Sequence, residues 1–74
     1  MPHIREILNE IKWTKDLEKT EIWIIHRGAP HDTKIIQGSE IITIEKSFLR
    51  IASASIPYHR VFKIVYDNQI IYER

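Results

Sequence analysis

Glu21-Ile22-Trp23-Ile24-Ile25-His26-Arg27 is β-branched and aromatic, the composition of a pleated strand. Period two sets Ile22, Ile24 and His26 on one face and Trp23, Ile25 and Arg27 on the other. Both faces are apolar until the last two residues, so the segment is expected to be a central strand covered on both sides. His26 and Arg27 stand where it emerges. The residues that follow, Gly28-Ala29-Pro30-His31-Asp32, have loop composition.

Towards the N-terminus the period changes. Ile4, Ile7, Leu8 and Ile11 fall at i, i+3, i+4 and i+7, which predicts one apolar face of a helix over residues 3–13. Arg5, Glu6, Asn9, Glu10 and Lys12 take the other face, and Pro2 suits the first turn. A helix of about ten residues is marginal alone and must dock on something apolar. Trp13 is expected to add an anchor to that interface. Residues 14–20 are a charged connector with Leu17 as its apolar peg.

Towards the C-terminus, residues 33–37 read as a short strand broken at Gly38-Ser39. Residues 40–45 and 47–52 read as two more strands, with Lys46 near a tight turn. Ala52-Ser53-Ala54-Ser55 reads as a connector, and Ile56-Pro57 is extended because the residue before a proline avoids the helical region. Residues 60–66 form a strand in which Phe62, Ile64 and Tyr66 share a core-like stripe. Asp67-Asn68-Gln69 is a hairpin turn, Asn68 accepting the positive φ it needs, and residues 70–73 are the last strand. One helix followed by five to six short strands is an α+β fold. The expected form is a mostly antiparallel sheet, curled or closed into a small barrel, with the N-terminal helix covering it.

At 74 residues the chain holds one domain. A chain of this size buries only about 60% of its unfolded surface, so its core must be dense; sixteen isoleucines supply it. With no cysteine there are no disulfides and no thiolate chemistry. No run approaches the roughly 18 apolar residues of a membrane span, and no signal-peptide core is present, so a cytoplasmic location is expected. The net charge of +1 neither requires nor forbids a nucleic-acid partner, because placement of the cations matters more than their sum.

One combination occurs twice. His26-Arg27 ends a strand, and His59-Arg60 begins one. Arginine grips phosphate oxygens bidentately, and histidine donates to an oxygen or moves a proton. His31, Thr33 and Lys34 add an imidazole, a hydroxyl and an ammonium nearby. Unless a bulge at Gly28 re-aims one of them, strict alternation sends His26 and Arg27 to opposite sides, and the same applies to His59 and Arg60, so one member of each pair is expected in any shared pocket. Both pairs are equally compatible with ordinary solvated strand ends. Trp13 and Trp23 read as core before they read as base platforms, and Tyr58 is the better stacking candidate. His3 reads as a solvated side chain. The histidines at 3, 26, 31 and 59 match no metal-binding spacing, so neither a metal nor another cofactor is expected.

Three segments together carry a family resemblance: His26-Arg27-Gly28-Ala29-Pro30-His31-Asp32-Thr33-Lys34, Gly38-Ser39-Glu40-Ile41 and Ile56-Pro57-Tyr58-His59-Arg60-Val61. They resemble a family of small, mostly archaeal proteins described as the RNA cyclic-group-end recognition domain, and the resemblance runs the length of the chain. It implies recognition of single-stranded RNA ends that carry a 2′,3′-cyclic phosphate. In larger relatives the domain accompanies RNA-end-processing enzymes of the two-histidine phosphoesterase type, so a separate processing enzyme is an expected partner. The matching positions are His26, Arg27, His31, Thr33, Lys34, Tyr58, His59 and Arg60.

Three functions compete. The first is a binding module for phosphate-bearing RNA ends. The second is an enzyme with His26 and His59 as acid and base on one phosphorus. Against it, neither histidine sits in the His-x-Thr or His-x-Ser arrangement of two-histidine phosphoesterases. The third is a structural adaptor that recruits a partner through an exposed strand edge.

Overall fold

The computed structural model describes residues 4–74. The expectations for Pro2 and His3 lie outside the described residues. Helix α1 spans Ile4–Thr14, with Ile4, Leu8 and Ile11 buried as their spacing requires. A 3₁₀ turn follows at Leu17–Lys19, where the Asp16 carboxylate accepts the Glu18 N–H at 2.9 Å. Seven strands complete the chain: β1 Thr20–Ile25, β2 Thr33–Gln37, β3 Ile41–Ile44, β4 Phe48–Ile51, β5 Ala54–Pro57, β6 Val61–Tyr66 and β7 Gln69–Glu73.

The strands form two antiparallel sheets, one in the order β2-β1-β6-β7 and one in the order β3-β4-β5. The chain crosses to the second sheet at the 3₁₀ turn Gly38–Glu40 and returns at the 3₁₀ turn Tyr58–Arg60. The α+β class, the N-terminal helix and the antiparallel pairing are as the sequence predicts. The sheets share no ladder, so there is no closed barrel. Ile22, Ile24, Ile36, Val61 and Ile64 face Leu49, Ile51 and Ile56 in one core, which α1 completes. Each such burial stabilises by roughly 1.5–3 kcal/mol before the entropy of ordering is subtracted.

Several expectations are corrected. There are seven strands because Ala54–Pro57 pairs with β4, setting Ile56 opposite Leu49. A ladder needs only backbone groups, so the small side chains that suggested a connector do not prevent it. Glu40 belongs to the corner turn, where its carboxylate accepts the Gln37 N–H at 2.8 Å, and not to the following strand. Trp13 is no anchor: it is 80% exposed. Two residues beyond Ile11 is a rotation of roughly 200° around the helix, which carries Trp13 away from the core. Strand β1 is central in its sheet but covered on one side only. Its outward residues are the half-buried Trp23 and Ile25, which is 46% exposed.

Strand β6 also departs from simple alternation. Trp23 pairs with Lys63 but Ile24 pairs with Val61, so Phe62 is an extra residue in a β-bulge. The bulge points both Val61 and Ile64 inward, each fully buried. Tyr66 and Tyr72 pack at the edge of that core. The β6–β7 turn places both Asp67 and Asn68 at positive φ, the conformation that matches the twist of a two-residue hairpin.

Candidate nucleic-acid interface

The register of β1 against β6 positions the polar chemistry. Ile24 lies opposite Val61. His26 comes two residues after Ile24 and His59 two residues before Val61, so both His-Arg pairs leave the ladder at the same end of the four-stranded sheet. Strand β2 begins there, with Thr33 opposite Ile25 and Lys34 opposite Ile24. Strand β7 finishes there, with Glu73 opposite Lys63 and the Arg74 N–H donating to the Phe62 carbonyl at 2.9 Å. This end therefore gathers His26, Arg27, Thr33, Lys34, His59 and Arg60. Thr33 is half-buried and the other five are exposed.

The expected division of each pair to opposite sides does not hold in that form. His26 and Arg27 lie beyond the last residue of β1, and His59 and Arg60 lie in a 3₁₀ turn. Strand alternation governs neither segment.

The β1–β2 loop is tied by its own backbone. The His26 N–H donates to the Asp32 carbonyl at 2.8 Å, and the Asp32 N–H to that of Ala29 at 2.8 Å. The Thr33 hydroxyl donates to the His31 carbonyl at 3.1 Å. Gly28, His31 and Asp32 all have positive φ, of 92°, 56° and 52°. Glycine adopts that region freely, and histidine and aspartate tolerate it better than most residues. The loop thereby holds Arg27 and His31 on a defined frame rather than on a slack linker.

Tyr58 occupies the corner between β5 and β6. Its ring packs on the core, and its hydroxyl donates to the Glu45 carbonyl. Burial raises its pKa above the ordinary 10.0, while the Arg5 guanidinium lowers it and Glu45 raises it. The folded state thus favours the neutral phenol. The stabilisation from this preference is present below about pH 10 and is lost as pH rises through the folded-state pKa. In alkaline urea titrations, the Tyr58→Phe variant should lose less stability above pH 10 than the parent. Equal losses in both proteins would refute this. Arg5 acts on Tyr58 from the first turn of α1, a proximity that no sequence spacing indicates.

The outward face of the four-stranded sheet is open. Trp23 lies across β1, its indole N–H donating to Glu21 Oε1 at 3.2 Å and the Lys63 ammonium standing 4.0 Å from its ring centroid. Ile25 and Ile35 beside it are 46% and 40% exposed. With the Tyr58 ring packed on the core, Trp23 is the aromatic that β1 places on this open face.

Charge is distributed unevenly along the sheet. The end with both His-Arg pairs carries Arg5, Arg27, Lys34, Arg60, Lys63 and Arg74 against Asp32, Glu45 and Glu73. The opposite end carries Asp16, Glu18, Glu21, Glu40 and Asp67 against Lys15 and Lys19. A net charge of +1 therefore conceals a basic end and an acidic end. Among the described residues, no group of three or more His, Asp or Glu is placed to hold a metal ion. No helix among them is long and apolar enough to cross a membrane.

Comparison with known proteins bears on this arrangement. The family model of the MJ1316 RNA cyclic group end recognition domain matches residues 1–74. The chain belongs to that family. Its relatives in the RNA cyclic group end recognition family include a UPF0248 protein of Methanococcus maripaludis strain C5, 33% identical over 75 residues, covering 96% of this chain and 97% of that one. A UPF0248 protein of Methanococcus maripaludis strain S2 is 35% identical over 75 residues with the same coverage. One from Thermococcus onnurineus is 33% identical over 73 residues, covering 95% of this chain and 83% of that one. No solved structure matches the chain significantly.

Proposed function

We propose that this protein is a binding module that holds the phosphate-bearing end of a single-stranded RNA, with a 2′,3′-cyclic phosphate as its preferred terminus. The carrying observation is the β1–β6 register, which delivers two separate His-Arg pairs to one end of one sheet. The family description supplies the RNA end and the cyclic group. The exposure of the pairs suits a ligand that arrives from solvent.

A cyclic phosphate presents one negative charge on two free oxygens. In this reading a guanidinium from Arg27 or Arg60 grips those oxygens, and an imidazole from His26 or His59 donates to one of them. In the same reading Lys34, His31 and Thr33 serve the preceding phosphate. The acidic far end of the sheet disfavours binding of a long polyanion across the whole face. A terminal contact is the form of binding that this charge arrangement supports.

The test is a titration with short RNAs of one sequence ending in a cyclic phosphate, a 3′-phosphate or a hydroxyl, at 50 and 200 mM salt. The cyclic end should bind tightest and the hydroxyl end weakest. With two to three phosphate contacts, affinity should fall by about an order of magnitude between the two salts. Equal affinity for all three ends would sink the reading. Turnover of the cyclic end, abolished by His59→Ala, would replace it with the phosphoesterase.

A further inference from the structure

We propose that the open face of the four-stranded sheet is a base-stacking subsite centred on Trp23, which takes the nucleobase next to the bound RNA end. The inference rests on the end-binding reading for its ligand, and adds a second contact and a limit on length. Trp23 is one of the large aromatics of a small domain, yet it faces outward from a central strand. Its ring is oriented by the Glu21 carboxylate on the indole N–H. The Lys63 ammonium lies 4.0 Å from the ring centroid. Trp23 and Lys63 are both half-buried, and the ammonium sits at the end of a flexible side chain, so an arriving base can displace it from the ring face. Lys63 then remains beside a newly bound phosphate. Ile25 and Ile35 flank the ring with apolar surface for the sugar and base edges.

Charge selects nucleic acid over an apolar partner for this face. The end of the sheet nearest the His-Arg pairs is basic, and Lys63 extends that character to Trp23. Past Trp23 along β1 the next outward residue is Glu21, which lines a depression with Glu18 and Asp67 against the cation Lys19. A phosphodiester backbone running from the basic end meets carboxylates within one strand length. The RNA footprint is therefore shorter than the roughly 4–16 nucleotides of an OB fold.

The test uses the full chain with Trp13→Phe, which removes the exposed second indole and leaves Trp23 as the reporter. A cyclic-phosphate-ended oligonucleotide should quench Trp23 fluorescence, whereas ribose 2′,3′-cyclic phosphate without a base should bind without quenching. Trp23→Ala should weaken oligonucleotide binding by about 5- to 150-fold, the equivalent of one stacked base at roughly 1–3 kcal/mol. It should leave the abasic ligand unaffected, and Trp23→Phe should restore part of the loss. Affinity should stop rising with length before about four nucleotides. Binding without quenching overturns the subsite while leaving end recognition standing. Equal weakening of both ligands by Trp23→Ala also overturns it, because that marks a structural role. A homodimer dissolved by Trp23→Ala would assign the face to a second copy and overturn it as well. Quenching that is indifferent to the terminal group supports the subsite and removes the end-binding reading instead.

Discussion

Replacing Arg27 and Arg60 together with alanine is expected to weaken binding of a cyclic-phosphate-ended RNA by about 100-fold, and either alone by about 10-fold. A hydrogen bond to a charged group contributes roughly 1.5–3 kcal/mol, and the exposure of both residues argues for the low end of that range. At about 1.4 kcal/mol per decade this is one decade for each guanidinium. The double-mutant cycle carries further information. Two arginines on the same phosphate should show coupling, whereas arginines on successive phosphates should act additively. Each lost phosphate contact should also reduce the salt slope by about 0.7 for a single strand. Lys19→Ala, at the acidic end, should leave affinity unchanged. Retention of full affinity in the double variant would remove this end of the sheet as the phosphate site. The Arg27 half of the experiment examines the β1–β2 loop, and the Arg60 half examines the returning corner. Disagreement between them would show which of the two His-Arg pairs meets the ligand.

The largest loss of stability should come from Gly38→Ala. A Cβ at Gly38 would stand 1.9 Å from the Leu17 carbonyl oxygen and 3.0 Å from the Thr20 Cβ. Leu17 cannot yield easily, because the same carbonyl accepts the Thr20 N–H that closes its 3₁₀ turn. Thr20 is itself fully buried at the start of β1. The first crossing between the sheets depends on this close approach, so the added methyl separates the Leu17–Lys19 turn from the Gly38–Glu40 corner. A cost of about 3 kcal/mol or more is expected, in the range reserved for overpacking against a fixed backbone. A 74-residue chain at roughly 0.05–0.15 kcal/mol per residue has little to spare. The melting temperature should fall by about 15 °C or more, read by circular dichroism. Gly28→Ala is the comparison. Gly28 has φ of +92° but nothing within 4 Å of an added Cβ, so only backbone strain of about 1 kcal/mol applies. Equal effects at the two glycines would refute the steric account of Gly38.

Local pattern carried much of the architecture. The 3.6-residue period of Ile4, Leu8 and Ile11 announced α1 and its buried face. β-Branched runs announced most strands, and Asn68 announced the last turn. These features depend on neighbours in the chain, which is why they can be read without a fold. Where expectation and structure differ, helix phase was responsible in α1 and a distant neighbour in the strands. Trp13 looked like an anchor because large aromatics favour interfaces, but helix phase turned it outward. Ala54–Pro57 looked like a connector because its side chains are small, but its backbone found β4. Alternation in β6 broke at Phe62 because the sheet required a bulge there.

The candidate site divides in the same way. His26, Arg27, His59 and Arg60 were legible as residue types suited to phosphate, since that chemistry resides in single side chains. That the two pairs meet at one end is a matter of register between strands about 40 residues apart in sequence, set by which inward isoleucines and valines pack together. The outward placement of Trp23 and the approach of Arg5 to Tyr58 likewise depend on which face the second sheet and α1 cover. Composition and period determined the elements and the polar inventory of this chain. Only tertiary packing decided that the two His-Arg pairs stand at one end of one sheet, because their strands are joined across the sheet and not along the chain.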